Sequence, residues 1–409
     1  MLSESQTGPE SSYAWLRLVV ALLLCTLGGV GMWSVVVTLP IVQAEFGVAR
    51  GDASLPYTLT MIGFGIGGVF MGQLADRRGV MPAVMLGTVA LAAGFWAASF
   101  SANLGQFALV QGVLIGVGSS ATFAPLLADT SHWFIRRRGM AVAIIASGNY
   151  LAGALWPPVL QYAIAETGWR SAYVSVALFC LATMTPLALV LKRRAPMHAP
   201  AAATAGSLAA GNAQRALGLS APALQVLLLL AGFACCVAMS MPQVHIVAYC
   251  GDLGYGAARG ASMLSLMLGC GVVSRLSFGW ISDRIGGLRT LLLGSTLQGV
   301  ALLMFLPVKG LVPLYVVAGL FGLFQGGIVP AYALIVREYF PAGVAATRVG
   351  AVMTSTLFGM ALGGWMSGAI FDLTGSYRAA FINGIAWNAL NLTIALFLAK
   401  RLLWRPVPV

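Results

Sequence analysis

Gly72-Gln73-Leu74-Ala75-Asp76-Arg77-Arg78-Gly79 and Gly279-Trp280-Ile281-Ser282-Asp283-Arg284-Ile285-Gly286 are one pattern written twice, 207 positions apart. A second pair keeps that offset. Thr167-Gly168-Trp169-Arg170-Ser171-Ala172-Tyr173 returns as Thr374-Gly375-Ser376-Tyr377-Arg378-Ala379-Ala380-Phe381, with the two glycines again 207 positions apart. Internal repetition decides architecture before any local reading does. Two independent motifs at a single offset make this chain two parallel copies of one unit.

What surrounds the motifs is apolar. Of 409 residues, 59% are hydrophobic and 8% charged, against about 25% charged in a soluble domain. Such a chain cannot coat a soluble fold with polar groups, and its Leu, Val and aromatic content excludes disorder. A helix needs about 20 apolar residues to cross a bilayer. Twelve stretches meet this, near 14–40, 55–75, 81–101, 106–128, 139–164, 170–191, 221–248, 260–281, 288–308, 311–335, 346–371 and 378–402. The motifs therefore lie in corresponding loops of two six-span copies. Residues 1–13, polar and carrying Glu4 and Glu10, do not read as a secretory signal. Cys25, Cys180, Cys235, Cys236, Cys250 and Cys270 have no metal-ligand spacing and read as packing residues.

Charge sets the orientation. Loops and tails on the side of the two termini hold seventeen basic residues, and the other side holds Arg50, Arg170, Arg259, Lys309 and Arg378. Cytoplasmic loops carry the Lys/Arg excess, so both termini are expected in the cytoplasm. The net charge of +12 is then topology and not a nucleic-acid footprint. Residues 192–219 open with Lys192, Arg193 and Arg194 and turn to Ala, Pro and Gly, the composition of a flexible linker. The expected domains are residues 1–191, the linker 192–219, and residues 220–409. Parallel repeats of this kind are expected of secondary transporters, with the substrate at the repeat interface.

A G-x-x-x-D-R-x-G loop after spans 2 and 8, twelve spans and a central linker resemble the major facilitator superfamily. The resemblance covers essentially the whole chain and implies an all-α integral membrane protein of two pseudo-symmetric six-helix bundles. It also implies that Gly72, Asp76, Arg77, Gly79, Gly279, Asp283, Arg284 and Gly286 take part in gating. A carboxylate at such a span end can accept hydrogen bonds from a neighbouring helix N-terminus and pair with Arg. In the first copy Val80-Met81-Pro82 stands where further basic residues are common. Trp133-Phe134-Ile135-Arg136-Arg137-Arg138-Gly139-Met140-Ala141, the run from His245 to Tyr255, and Ser274-Arg275-Leu276-Ser277-Phe278-Gly279 narrow the likeness. Together they resemble the monocarboxylate porters and their oxalate/formate antiporter relatives, which implies a carboxylate substrate.

Arg275 stands apart in the sequence. It lies eight residues before Asp283, about 12 Å into the span at 1.5 Å per residue. All eleven acidic residues fall in loops, tails or span ends. Its repeat counterpart is Gly68, so the symmetry does not demand a cation there. An intramembrane Arg costs at least about 2.5 kcal/mol, which a wet cavity and an anion offset. The planar guanidinium fork suits a carboxylate; the alternative is that Arg275 snorkels or bonds helix carbonyls. His245 is a second titratable candidate. Asn149, Tyr150, Gln325, Tyr332, Thr354, Thr356 and Asn383 are polar candidates for the cavity wall. Animal monocarboxylate porters carry an acid one turn before this Arg and a Lys in span 1. Here Gly271, Ser34 and Thr38 occupy those regions, which argues against proton coupling by a carboxylate–cation switch; the interior of span 11 lacks the second cation a dicarboxylate would favour, so a single-carboxylate substrate fits best.

Small-residue pairs Gly63/Gly67, Gly68/Gly72, Gly359/Gly363 and Gly364/Gly368 are read as helix contacts, and Gly63, Gly65 and Gly68 as no dinucleotide fingerprint, since no strand precedes them. The sequon at Asn391 falls inside span 12 and is expected to be inaccessible. No nucleophile–base pair or His/Asp/Glu cluster lies in the spans, so no enzyme is expected. Neither a cofactor nor a metal is expected. The reading is a monomeric secondary active transporter of a small organic anion in the cytoplasmic (inner) membrane, working with protons or a counter-anion and surrounded by lipid. An efflux carrier for uncharged or drug-like compounds is the other reading.

Overall fold

A computed structural model describes residues 10–134, 137–194 and 218–404. Most of the linker expected at 192–219 lies outside the described residues, as do Arg136, Arg215 and Arg405. Twelve helical spans follow one another: Ser12–Phe46, Arg50–Arg78, Val80–Ala98, Leu104–Trp133, Gly139–Thr167 and Trp169–Val190, then Ala221–Asp252, Ala257–Ile285, Gly287–Phe305, Leu311–Tyr339, Val344–Thr374 and Tyr377–Arg401. They are numbered spans 1 to 12. No strand occurs among the described residues. This is the twelve-span fold expected from the repeat. Several spans overrun the apolar stretches, because a helix continues past the hydrocarbon wherever its next turn still finds packing partners. Span 1 has 35 residues, about 52 Å at 1.5 Å per residue.

The repeated glycines have a conformational reason. Gly79 (φ 95°) and Gly286 (φ 81°) end spans 2 and 8; Gly168 (φ 79°) and Gly375 (φ 66°) end spans 5 and 11. Positive φ is strained for any side chain and free for glycine. At all four, the glycine N–H closes back on the carbonyl four residues earlier, at 2.7–2.9 Å. The repeated motifs are thus helix stops, and the chain reverses direction within a residue or two.

Close helix approach uses only some of the other glycines. A Cβ at Gly63 would collide with the Gly112 carbonyl, and one at Gly67 would lie 2.7 Å from the Val117 Cα. In span 11, Gly359 and Gly363 pack on the Phe233 and Val237 carbonyls of span 7. A Cβ at Gly68 or Gly72, by contrast, would meet nothing within 4 Å, so close approach does not account for every glycine in the set. Large apolar side chains such as Ile66, Phe70, Trp96 and Val312 stand exposed, as they do on a surface made for lipid.

Four spans are interrupted, span 1 at Gly29 and span 2 at Ser54 by a single residue each, and spans 4 and 10 more widely. Span 4 runs as Leu104–Val110, a π-turn at Gln111–Gly116 and Val117–Ser120, then breaks before Ala124–Trp133. Span 10 runs as Leu311–Gln325 and resumes at Ile328–Tyr339. In both of these, the resumed helix carries a proline in its first turn, Pro125 and Pro330, where the missing N–H costs nothing. The chain forms two compact units, Met1–His198 with His245–Gly269, and Ala199–Val244 with Cys270–Val409.

Candidate functional site

The second unit holds Arg275 at the break in span 10. Span 8 is helical from Ala257 to Ile285, so Arg275 sits ten residues from its end, about 15 Å along the axis. Its Nε donates to the Gly326 carbonyl at 3.3 Å. Gly326 follows the last helical residue of Leu311–Gln325, where carbonyls lack intrahelical donors and the helix dipole is negative. A guanidinium is a natural cap there. The side chain therefore does bond a helix carbonyl, through one of its nitrogens.

Gly326-Gly327 makes this meeting possible. A Cβ at Gly326 would lie 2.5 Å from the Gly271 carbonyl and 3.0 Å from Ser274 Oγ, and one at Gly327 would collide with Phe278. Only a glycine pair lets spans 8 and 10 touch backbone to backbone at this level. Ser274, beside Arg275 in sequence, is buried, and its hydroxyl has no hydrogen-bond partner among the described residues. The N-terminus of Ile328–Tyr339, the positive end of a helix dipole, begins two residues after the carbonyl that Arg275 holds. A guanidinium, a hydroxyl and a helix start lie close together, the ingredients of a site for a small anion. Ser274 and the break were not singled out from sequence, although Gly326-Gly327 with Pro330 was a legible signal for the break.

The other candidates are distributed over both units. Gln325 is buried as the last residue before the break. Tyr332 is buried on the resumed helix, but its hydroxyl donates to Asn391 Oδ1 at 2.7 Å. Asn391 in turn donates to Ser295 Oγ at 2.8 Å, and Asn388 to the Ser295 carbonyl at 3.1 Å. That places Tyr332 in a polar network joining spans 9, 10 and 12, and it uses the sequon asparagine inside the bundle. Thr354 and Asn383 are half-buried in spans 11 and 12, and Thr356 bonds the Met353 carbonyl at 2.7 Å. In the first unit, Asn149 accepts from the Trp33 indole through its carbonyl at 3.2 Å. Tyr150 and His245 are buried there. Among the described residues no group of three or more His, Cys, Asp or Glu is placed to hold a metal ion.

At the motif loops, Asp76, Arg77, Asp283 and Arg284 are exposed, and the Arg284 guanidinium lies 3.6 Å over the Trp280 ring. A Cβ at Gly72 or Gly279 would meet nothing within 4 Å. Ion pairs form at Arg17–Asp129, Arg50–Asp252 and Arg170–Glu45, away from the two motif aspartates. The carboxylate that accepts from a helix N-terminus in the second copy is Glu338, which takes the Gly287 N–H of span 9 at 2.9 Å. Its position at the end of span 10, far from the motif in sequence, hid that role.

Comparison with known proteins places these features in context. The sequence matches the family described as Major Facilitator Superfamily over residues 21–318 and 276–409. It is 27% identical over 386 residues to monocarboxylate transporter 13 of Rattus norvegicus, covering 91% of this chain and 86% of that one. It is 28% identical to monocarboxylate transporter 11 of Mus musculus, covering 91% and 85%. To the MFS-type transporter YcxA of Bacillus subtilis it is 28% identical, covering 89% and 90%.

Proposed function

The chain belongs to the Major Facilitator Superfamily, and from that premise we propose that this multi-pass membrane transporter is a secondary carrier of small monocarboxylates. The observation that carries the proposal is Arg275, within the span at the break of span 10 and beside the buried Ser274 hydroxyl. An arginine this deep is costly unless water and an anion reach it, and its fork matches a carboxylate. The names of the mammalian relatives support the same substrate class. The carrier works by alternating access in the cytoplasmic membrane as a monomer with both termini inside, and residues 1–191 and 220–409 act as its two moving halves around the linker. The loops at Asp76 and Asp283 tune the inner mouth.

The energy source is a gradient, either of protons or of a second anion. His245, buried in span 7, is the candidate for a proton carrier. The experiment is uptake of a panel of labelled monocarboxylates into proteoliposomes, with an imposed pH gradient in one arm and internal anions in the other. Stimulation by an acidic exterior identifies symport, and stimulation by internal carboxylate identifies exchange. If neither arm moves any carboxylate while uncharged compounds are carried, the substrate class is wrong.

A further inference from the structure

Glu45 and Asp252 occupy equivalent places in the repeat, 207 positions apart, at the ends of spans 1 and 7. The charge tally puts both on the outer face. Their partners are not equivalent. Glu45 stays within its own copy, accepting from the Trp169 indole and pairing with Arg170, whose second terminal nitrogen donates to the Ser101 carbonyl. Asp252 instead reaches to the first copy, where Arg50 grips it with both terminal nitrogens, at 2.9 and 3.1 Å. The remaining nitrogen of Arg50 donates to Gln43 Oε1, so three sides of the guanidinium are directed.

The burial is uneven too. The Arg50 side chain is 8% exposed and the Asp252 side chain 36%. The arginine is thus fixed in the first copy, while the carboxylate sits where water can replace its partner. Deeper in the same unit, the Ser265 hydroxyl donates to the Ala154 carbonyl, and Leu268 lies directly against Gly153. Span 8 thereby lies on span 5 below the ion pair. This is why His245–Gly269 groups with the first copy.

We propose that Arg50–Asp252 is a one-sided latch, holding the outer ends of spans 7 and 8 against the first copy and parting whenever the carrier opens outward. Glu45–Arg170 is its closed counterpart, made within one copy and kept throughout the cycle. Forked, charge-assisted pairing gives the latch both strength and a defined geometry, and the open side of Asp252 lets it release. The inference rests on the alternating-access reading but not on the substrate.

The test uses the full-length protein in right-side-out membrane vesicles. Leu268→Cys, in a Cys270→Ala background, provides a thiol that is buried against span 5 when the latch is made. A membrane-impermeant maleimide is added outside, and the adduct at position 268 is followed by mass spectrometry. Asp252→Asn should raise the labelling rate by up to about fivefold, the most that a pair with a partly solvated carboxylate supplies. Arg50→Gln should do the same, and the double variant should add nothing further, as expected of two residues acting through one contact. Glu45→Gln should leave labelling unchanged. The latch is refuted if Asp252→Asn labels at the parental rate, or if Glu45→Gln accelerates labelling as much. Since labelling needs no substrate, these results stand even if the uptake panel finds no carboxylate.

Discussion

Replacing Arg275 separates a substrate ligand from a structural cap, because the two roles move stability and transport differently. Arg275→Ala removes the bond to the Gly326 carbonyl, which at 3.3 Å is at the long edge of hydrogen-bond geometry and worth at most about 1.5 kcal/mol. The same change removes a cation whose insertion in a helix centre costs about 2.5–3.5 kcal/mol. The two terms oppose each other and are of similar size, so its thermal melting should change little. A bond from the guanidinium to a carboxylate is worth about 1.5–3 kcal/mol, which corresponds to a factor of about 10–150 in affinity. Half-saturation for monocarboxylate uptake in proteoliposomes should rise by that factor, and the melting shift caused by added carboxylate should vanish. Arg275→Lys keeps the charge without the fork and should fall between the two. Uptake with parental half-saturation would refute the assignment. So would a fall of many degrees in melting temperature, since that outcome makes Arg275 a cap for the broken helix.

Tyr332→Phe leaves the buried Asn391 Oδ1 without its 2.7 Å donor and should cost about 1–3 kcal/mol of stability, visible in melting, with half-saturation unchanged; the reverse pattern would return Tyr332 to the substrate. Asp129→Asn breaks the 2.6 Å pair with Arg17, whose side chains are 3% and 12% exposed. Leaving that arginine buried should cost about 3–5 kcal/mol, read as a lower melting temperature in detergent. Gly63→Ala drives a Cβ into the Gly112 carbonyl and should destabilise by about 1–3 kcal/mol, whereas Gly72→Ala, with nothing within 4 Å, should be neutral or gain up to about 1 kcal/mol.

The fold was legible because its determinants are local or periodic. Twelve apolar runs and two repeated loops are properties of consecutive residues, and the repeated glycines proved to be the positive-φ stops that such loops need. Span 10 shows where that legibility ends. Gly326-Gly327 with Pro330 signals a break there, but the close approach of Gly271, Ser274 and Phe278 on span 8, which leaves no room for a Cβ at either glycine, is not written in the local sequence. Gly68 and Gly72 show the converse, since their spacing matches a packing motif but a Cβ at either would meet nothing within 4 Å.

Pairing is least legible, for a physical reason. The offset of 207 makes Glu45 and Asp252 the same position, and a symmetric reading gives them the same partner type within their own copies. Which arginine a carboxylate meets depends on side-chain reach between segments some two hundred residues apart, and charge–charge attraction carries no register in sequence. The first copy offers Arg50 fixed by Gln43, whereas the counterpart of Arg50 in the second copy is Ala257. The counterparts of Gln43 and Arg170 differ too, being Cys250 and Tyr377, so a latch with its cation in one copy and its anion in the other follows from a few substitutions. Pseudo-symmetric repeats can therefore keep their helix stops and still place the moving contact on one side, by changing a few residues at a rim.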